Sequence, residues 1–368
     1  MTHLRLLETL FSLSLQVGLL AAATLLCDYG LCRSHRGRDR LWTGCLLAIL
    51  LLFVGDFCLP HLRLLPVPAE YVDPTLGMSI ERHTQAVYWL IVLWLVGVLV
   101  NLGRIAAGLV RATGLLYRST TIPPEQLPAP WGRLPAIRAA DHWAHSANGV
   151  QFLATSEVIS PFCWQFHRPT IVLPEVVLGF SADEIAAVIR HELAHLRYGH
   201  ALWLFVQRLI EAVMWFHPVV RWVARRASQT REFLCDERAV TSRTEAEFLL
   251  RSLLRLTELA GRRAGFRLAS KVVGDASGML AERARRLSAV SADVRDIQCG
   301  AVWVLAPAGI GIAAMLLLWI PIDVAASARS AWSPWPTWSA RALQAAGIFV
   351  RDYEIDGHRL APHSHEAG

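Results

Sequence analysis

The chain has 368 residues, room for one large domain or two ordinary ones, with 54% hydrophobic residues and a mean hydropathy of +0.37. That is too apolar for an ordinary soluble protein, and the clustering of the apolar residues predicts membrane spans. The net charge of +6 comes from arginine, with Lys271 the lone lysine, and no zinc-finger spacing accompanies it, so no direct nucleic-acid binding is expected.

Four runs approach the roughly 20 apolar residues that cross a bilayer: Thr9–Cys27, Leu41–Pro60, Ala86–Gly103 and Ala301–Ile320. Ala21-Ala22-Ala23 would suit a cleavable signal peptide. The weakly basic start, and Arg33, Arg36, Arg38 and Arg40 just beyond, favour an anchor followed by a short cytoplasmic turn. The positive-inside rule then puts the N-terminus and the 62–85 loop outside and residues 104–298 inside. Arg104, Arg111 and Arg118 agree with this, as do Arg283, Arg285, Arg286 and Arg295. The seven cysteines include no C-x-x-C pair and predict no disulfide framework.

This divides the chain into a membrane region of three spans (1–110), a cytoplasmic domain (111–299), a fourth span (300–321) and a short outer tail (322–368). The tail carries the Trp-rich stretch SAWSPWPTWSA, suited to the outer membrane interface. The expected fold class is a mainly α polytopic membrane protein with an α+β domain inserted between the third and fourth spans. That insert opens with the Pro-rich connector TTIPPEQLPAPWGRLP. Next comes VQFLATSEVISPFCWQFHRPTIVLPEVV, whose punctuation by Gly and Pro predicts two or three short strands. The pattern is helical from there to the last span.

Ser181-Ala-Asp-Glu184 is a capping box that starts a helix with Ile185, Val188, Ile189 and Leu193 at helical spacing. The same helix carries His191-Glu192-x-x-His195. Two imidazoles one turn apart share a face and can reach one ion, and Glu192 stands where a thermolysin-like site has its general base. His200 does not complete a metzincin pattern, because Tyr198 and Ala201 stand where that pattern needs Gly and His. His217, before Pro218, reads as a capping or packing histidine. Further on, RRASQTREFLCDERAV places Glu232 and Asp236 on one helical face. Glu232 as third ligand would give a His₂Glu set with an open position, and Asp236 could accept a hydrogen bond from a ligating histidine. Spacing alone leaves a solvated charged face equally open for this pair.

H-E-x-x-H followed by E-x-x-C-D, with P-T-I-V-L-P before the helix and M-W-F-H-P-V-V-R-W between, resembles the BlaR/MecR family of membrane-embedded zinc metallopeptidases. The likeness covers roughly residues 1–320. It implies a gluzincin-like domain holding one Zn²⁺ by His191, His195 and Glu232, with Glu192 as catalytic base and Asp236 behind the ligands. It also implies a bacterial inner membrane location and cleavage of a cytoplasmic winged-helix repressor or of the protein itself, with a homodimer left open. Arg225-Arg226, Arg262-Arg263 and Arg285-Arg286 are dibasic candidates for self-cleavage. The family commonly has an acidic residue at the position of His200 and a glycine at that of His167; these departures are expected to leave metal binding untouched. The lysine-free segment after Pro321 offers no S-x-x-K, so the chain is not expected to sense penicillin by itself. Two other readings compete: a membrane quality-control protease of the HtpX type, and a non-catalytic receptor with structural zinc. The intact Glu192 speaks against the receptor, since a structural site needs no base.

Overall fold

The computed structural model describes residues 3–30, 32, 34–59, 84–123, 127, 149–288, 302–317, 337–348 and 350. In chain order its elements are α1 (His3–Gly30), α2 (His35–Cys58), α3 (Thr84–Arg118), β1 (Thr120–Thr121), β2 (Gln151–Thr155), β3 (Phe162–Trp164) and β4 (Thr170–Pro174). A short 3₁₀ turn (Glu175–Gly179) leads to α4 (Ala182–Arg197), α5 (His200–Val213), α6 (Pro218–Ala239), α7 (Arg243–Ser288), α8 (Val302–Leu317) and α9 (Thr337–Ala345). The expected 62–85 loop, most of the Pro-rich connector, Arg295, Cys299 and the Trp-rich stretch fall largely outside the described residues.

The described part of each of the four apolar runs lies on or at the end of a helix. Among the described residues, α1 and α3 are long and apolar enough to cross a membrane, over Leu10–Gly30 and Tyr88–Arg118, while α8 offers the shorter apolar stretch Leu305–Met315. The third run does not stop at Gly103: α3 continues to Arg118, about 52 Å in all. Arg104, Arg111 and Arg118 therefore sit on that helix and not in a loop after it. Hydropathy marks where a helix leaves an apolar medium; it does not end the helix.

Ser34 caps α2 by accepting from Gly37 N (3.1 Å), and Asp28 at the end of α1 holds Arg38 (2.9 Å) and Trp42 Nε1 (3.3 Å), which closes the α1–α2 turn. Leu13, Val17 and Leu20 of α1 and Trp42, Ile49 and Leu52 of α2 share one buried cluster with Met214, Val220, Val223 and Ala227 from α5 and α6, and with Met315 of α8. The helices expected in the membrane and those expected below it thus share a core. Trp94 of α3 donates to Val213 O (3.0 Å), and Trp215 donates back to Trp94 O (3.3 Å), which pins the otherwise exposed α3 to the end of α5.

The two or three strands expected between Gly149 and Val177 are three, β2, β3 and β4. With β1 they form a sheet of order β1-β2-β4-β3, antiparallel at both ends and parallel between β2 and β4. Every residue of β4 is buried and both its edges are paired. Thr170–Leu173 therefore offers no free edge for an extended peptide, and among the described residues the sheet's free edge on this side belongs to β3. β4 packs through Ile171 and Leu173 on Val188 and Ile189 of α4, which fixes the sheet against the histidine-bearing helix. α7 is not a straight rod. Leu249 and Leu287 pack in one cluster with Ala187 and Ala239, although a straight helix would hold them about 57 Å apart.

Candidate metal centre

α4 begins at the predicted capping box. Glu184 N donates to Ser181 Oγ (3.3 Å) and Ser181 N donates to Glu184 Oε2 (3.0 Å), and Arg255 locks the carboxylate from α7 (3.0 Å). Ile185 and Ile189 join the cluster under the sheet, while His191 and His195 line a cleft together with Val188. α6 starts as foreseen, with Pro218 at its first turn and His217 Nδ1 accepting from Val220 N (3.4 Å), so His217 is a cap and not a ligand. From its far end Glu232 and Asp236 reach α4. Arg190 ties the two helices again, donating to Ala239 O (2.8 Å) and pairing with Glu245 (3.2 Å).

His191 Nε2 and His195 Nε2 lie 3.2 Å apart, and each is 3.6 Å from an oxygen of Glu232. Around a tetrahedral ion with bonds of about 2.1 Å the donor atoms would be about 3.4 Å apart. The nitrogens and the nearer carboxylate oxygens are spaced on that scale, Oε2 toward His191 and Oε1 toward His195. Two imidazoles and a carboxylate are also a donor set that suits zinc. Asp236 Oδ1 stands 3.1 Å from His191 Nδ1, on the side of the ring away from the triangle; the contact is electrostatic, without the alignment of a hydrogen bond. Glu192 lines the same cleft, of about 500 Å³, and its Oε2 accepts from the Cys163 thiol of β3 (3.0 Å). All five residues singled out in the sequence meet here.

The charges are strongly biased. Burial pulls the His191 pKa down, but Asp236 and Glu232 overcome it and raise it to about 9. His195 goes the other way, to about 3, through burial that Glu232 does not offset. Burial also pushes the Glu192 carboxyl above its ordinary value, whereas Glu232, half-buried, is held below its own by His191, His195 and Arg283. The carboxylates thus favour the charged imidazolium at His191, while burial favours the neutral imidazole, with one ring N–H, at His195.

Three neighbours of this centre were not assigned to it from the sequence. Arg283 of α7 grips Asp236 with Nε (2.7 Å) and Nη2 (2.6 Å) and reaches Glu232 with Nη1 (3.3 Å). Cys163 sits at the Glu192 carboxylate. His200 Nδ1 lies 3.1 Å from His195 Nδ1. No local spacing announces any of them; each arrives from a different element.

Residues 74–283, which hold every side chain of the centre, match the family described as BlaR1 peptidase M56. The chain belongs to that family. M56 proteins are peptidases, and the membership accords with the apolar helices and with the donor triangle. A curated relative, "Regulatory protein BlaR1" of Bacillus licheniformis, is 36% identical over 77 residues, or 21% of this chain and 13% of the relative. The match therefore spans a small part of that regulatory protein's length. The resemblance read from H-E-x-x-H and E-x-x-C-D is borne out at the level of the family.

Proposed function

We propose that the chain is a membrane-bound zinc endopeptidase of signal transduction, hydrolysing a peptide bond of a cytoplasmic repressor or of itself at the inner membrane face. The observation that carries the reading is the triangle of His191, His195 and Glu232 with Glu192 in the same cleft. Zinc held there would supply Lewis acidity toward water and the scissile carbonyl. Glu192 takes the proton of the attacking water and returns it to the leaving amine; a carboxyl raised by burial suits a group that must hold a proton in passing. Asp236, clamped by Arg283, stabilises the proton on His191 Nδ1 and so leaves Nε2 free to ligate. An extended substrate pairs with the free edge of β3, beside Cys163, which brings its backbone over the centre.

In this reading α1, α2, α3 and α8 are four spans, the N-terminus is outside and the catalytic face looks into the cytoplasm, with the bilayer and a winged-helix repressor as partners. The shared core of α1, α2, α5 and α6 supports a centre held close to the membrane. Arg285-Arg286 is a poor self-cleavage site here. Both residues lie on helical α7, paired with Glu282 (2.9 and 2.7 Å), and a protease needs extended chain.

The test is zinc content and peptide cleavage of detergent-purified wild type beside Glu232→Ala. Wild type is expected to hold one zinc and to cleave, and Glu232→Ala to lose both. A wild type that holds no metal would end the protease reading. A second expectation concerns protons. His191 must shed its proton to ligate, so zinc binding at pH 7 releases about one proton, and affinity rises with pH until the His191 pKa of about 9. In the metal-free protein the sign for stability is opposite: with the folded pKa above the ordinary value of about 6.5, the His191 contribution is full below that value and is lost as pH rises through the folded one. Calorimetry in buffers of different ionisation enthalpy reads the release, and a heat independent of buffer would contradict it.

A further inference from the structure

His191 has its own support in Asp236 and Arg283. His195 is supported from elsewhere, and the support comes from the membrane side of the molecule. His195 Nε2 belongs to the donor triangle, so when it ligates a metal the ring proton must sit on Nδ1. That N–H faces His200 Nδ1 at 3.1 Å. His200 is 4% exposed, so no bulk water competes for the contact. For Nδ1 of His200 to accept, its own proton must sit on Nε2, and that atom faces Asp39 Oδ2 at 3.9 Å, an electrostatic contact longer than a hydrogen bond. Asp39 lies on α2, one of the proposed spans, and Arg231 of α6 approaches its other oxygen at 4.0 Å. The Cys235 Sγ, 3.4 Å from His200 Nδ1, adds a second weak donor to the same acceptor.

We propose that His200 is a positioning residue for the metal ligand His195, and that through Asp39 it ties that ligand to helix α2. The proposal rests on the zinc reading above and deepens it: the two histidine ligands are oriented by separate arms, one from α7 and one from α2. Gly199 makes the second arm geometrically available. Its backbone has φ +67°, a conformation that suits glycine, and there the chain leaves α4 and starts α5, so that the first residue of α5 turns back onto the last turn of α4. The departure from the family's acidic residue at this position then bears on metal binding, contrary to the expectation from sequence. A carboxylate would accept from His195 directly. A histidine must pass the charge requirement on to a second carboxylate, and Asp39 is the carboxylate that faces it.

The same three donor atoms, His195 Nδ1, His200 Nδ1 and Cys235 Sγ, lie close enough to hold an ion of their own. The buried Arg231 beside Asp39 opposes a second cation, and one imidazole ring would have to bridge two ions. The test therefore measures metal directly, on the full chain in detergent, by competitive Zn²⁺ titration and by the visible spectrum of the Co²⁺-loaded protein. Wild type is compared with His200→Leu, His200→Asn and Asp39→Asn, each checked for a cooperative unfolding transition without metal. His200→Leu is expected to bind Zn²⁺ about 10–100-fold more weakly and to shift the Co²⁺ bands. His200→Asn, whose Oδ1 overlays the lost acceptor, should keep both near wild type, and Asp39→Asn should weaken binding in the same direction by less. Should His200→Leu fail to fold, the Asp39→Asn and His200→Asn pair decides. Unchanged affinity and Co²⁺ bands in His200→Leu and Asp39→Asn would overturn the proposal, as would a His200→Asn loss equal to that of Leu. Two equivalents of zinc in wild type, one of them lost in His200→Leu, would also overturn it in favour of a second ion. A wild type without zinc fails the protease reading itself and is distinguishable from all of these.

Discussion

Glu192→Gln is expected to keep its zinc and to lose peptide cleavage by about 10²–10⁴-fold, the usual contribution of a positioned general base. The side chain is 7% exposed and lines the cleft, yet it belongs to neither group of ligand atoms in that region. The amide has the volume of the carboxyl and can still meet the Cys163 thiol, so packing and metal affinity should change little. What the amide lacks is a lone pair basic enough to take a proton from water. Burial strengthens that basicity in the native residue by raising its pKa, with the attraction of His191 opposing. The outcome separates an enzyme from a receptor with structural zinc, because a receptor has no use for a base and should signal unchanged with Gln. Cleavage within a factor of two of wild type would remove Glu192 from the mechanism. The paired measurements are zinc content by atomic absorption and initial rates on one peptide substrate.

What the sequence made legible was local. The capping box at Ser181, Pro218 at the first turn of α6 and the two histidines a turn apart all follow from spacing within one element, and the structure has each of them. The strands of β2 to β4 could be read from β-branched runs between Gly and Pro, but their order could not. The central place of β4 depends on β2 arriving in parallel on one side and β3 turning back on the other, and no residue of Thr170–Pro174 records that. Glu232 shows the boundary between local and non-local information. Its spacing from Asp236 put both on one face, but only the resemblance to a family pointed that face at His191. Arg283 was visible only as a basic residue near a membrane. Its partner Asp236 lies 47 residues earlier, across the bend of α7, and pairing at that distance leaves no periodic trace. His200 was read only as falling outside a metzincin pattern, for a similar reason. Its place beside His195 depends on the left-handed turn at Gly199, and its approach to Asp39 on a helix near the start of the chain.

Arg283→Met is expected to cost about 3–5 kcal/mol of stability in the metal-free protein, the usual penalty for removing one partner of a buried ion pair. Arg283 is 9% exposed and holds both oxygens of Asp236, itself 4% exposed, while also facing Glu232. Methionine fills much of the same space, so the loss is chiefly the charge. Buried Asp236 and half-buried Glu232 would then share His191 as the one remaining cation in contact with both among the described residues. The pH dependence follows from Asp236. Burial alone would raise its pKa, but His191 and Arg283 hold it below its ordinary value. A group with a depressed folded pKa stabilises above its unfolded value of about 3.9 and loses that contribution as pH falls through the folded one. The gap between wild type and variant should therefore be wide at neutral pH and close in strong acid. Zinc restores a positive charge beside Glu232, so adding it should raise the melting temperature of Arg283→Met by more than that of wild type. Asp236→Leu combined with Arg283→Met should recover much of the loss, because an apolar pair leaves no charge unpaired. That double variant would still lack the carboxylate behind His191, so its zinc affinity should stay low while its stability returns. Thermal unfolding in chelator and in zinc, across the four members of the cycle, separates the two effects; an Arg283→Met protein as stable as wild type in chelator at pH 7 would show that the pair is not what braces the centre.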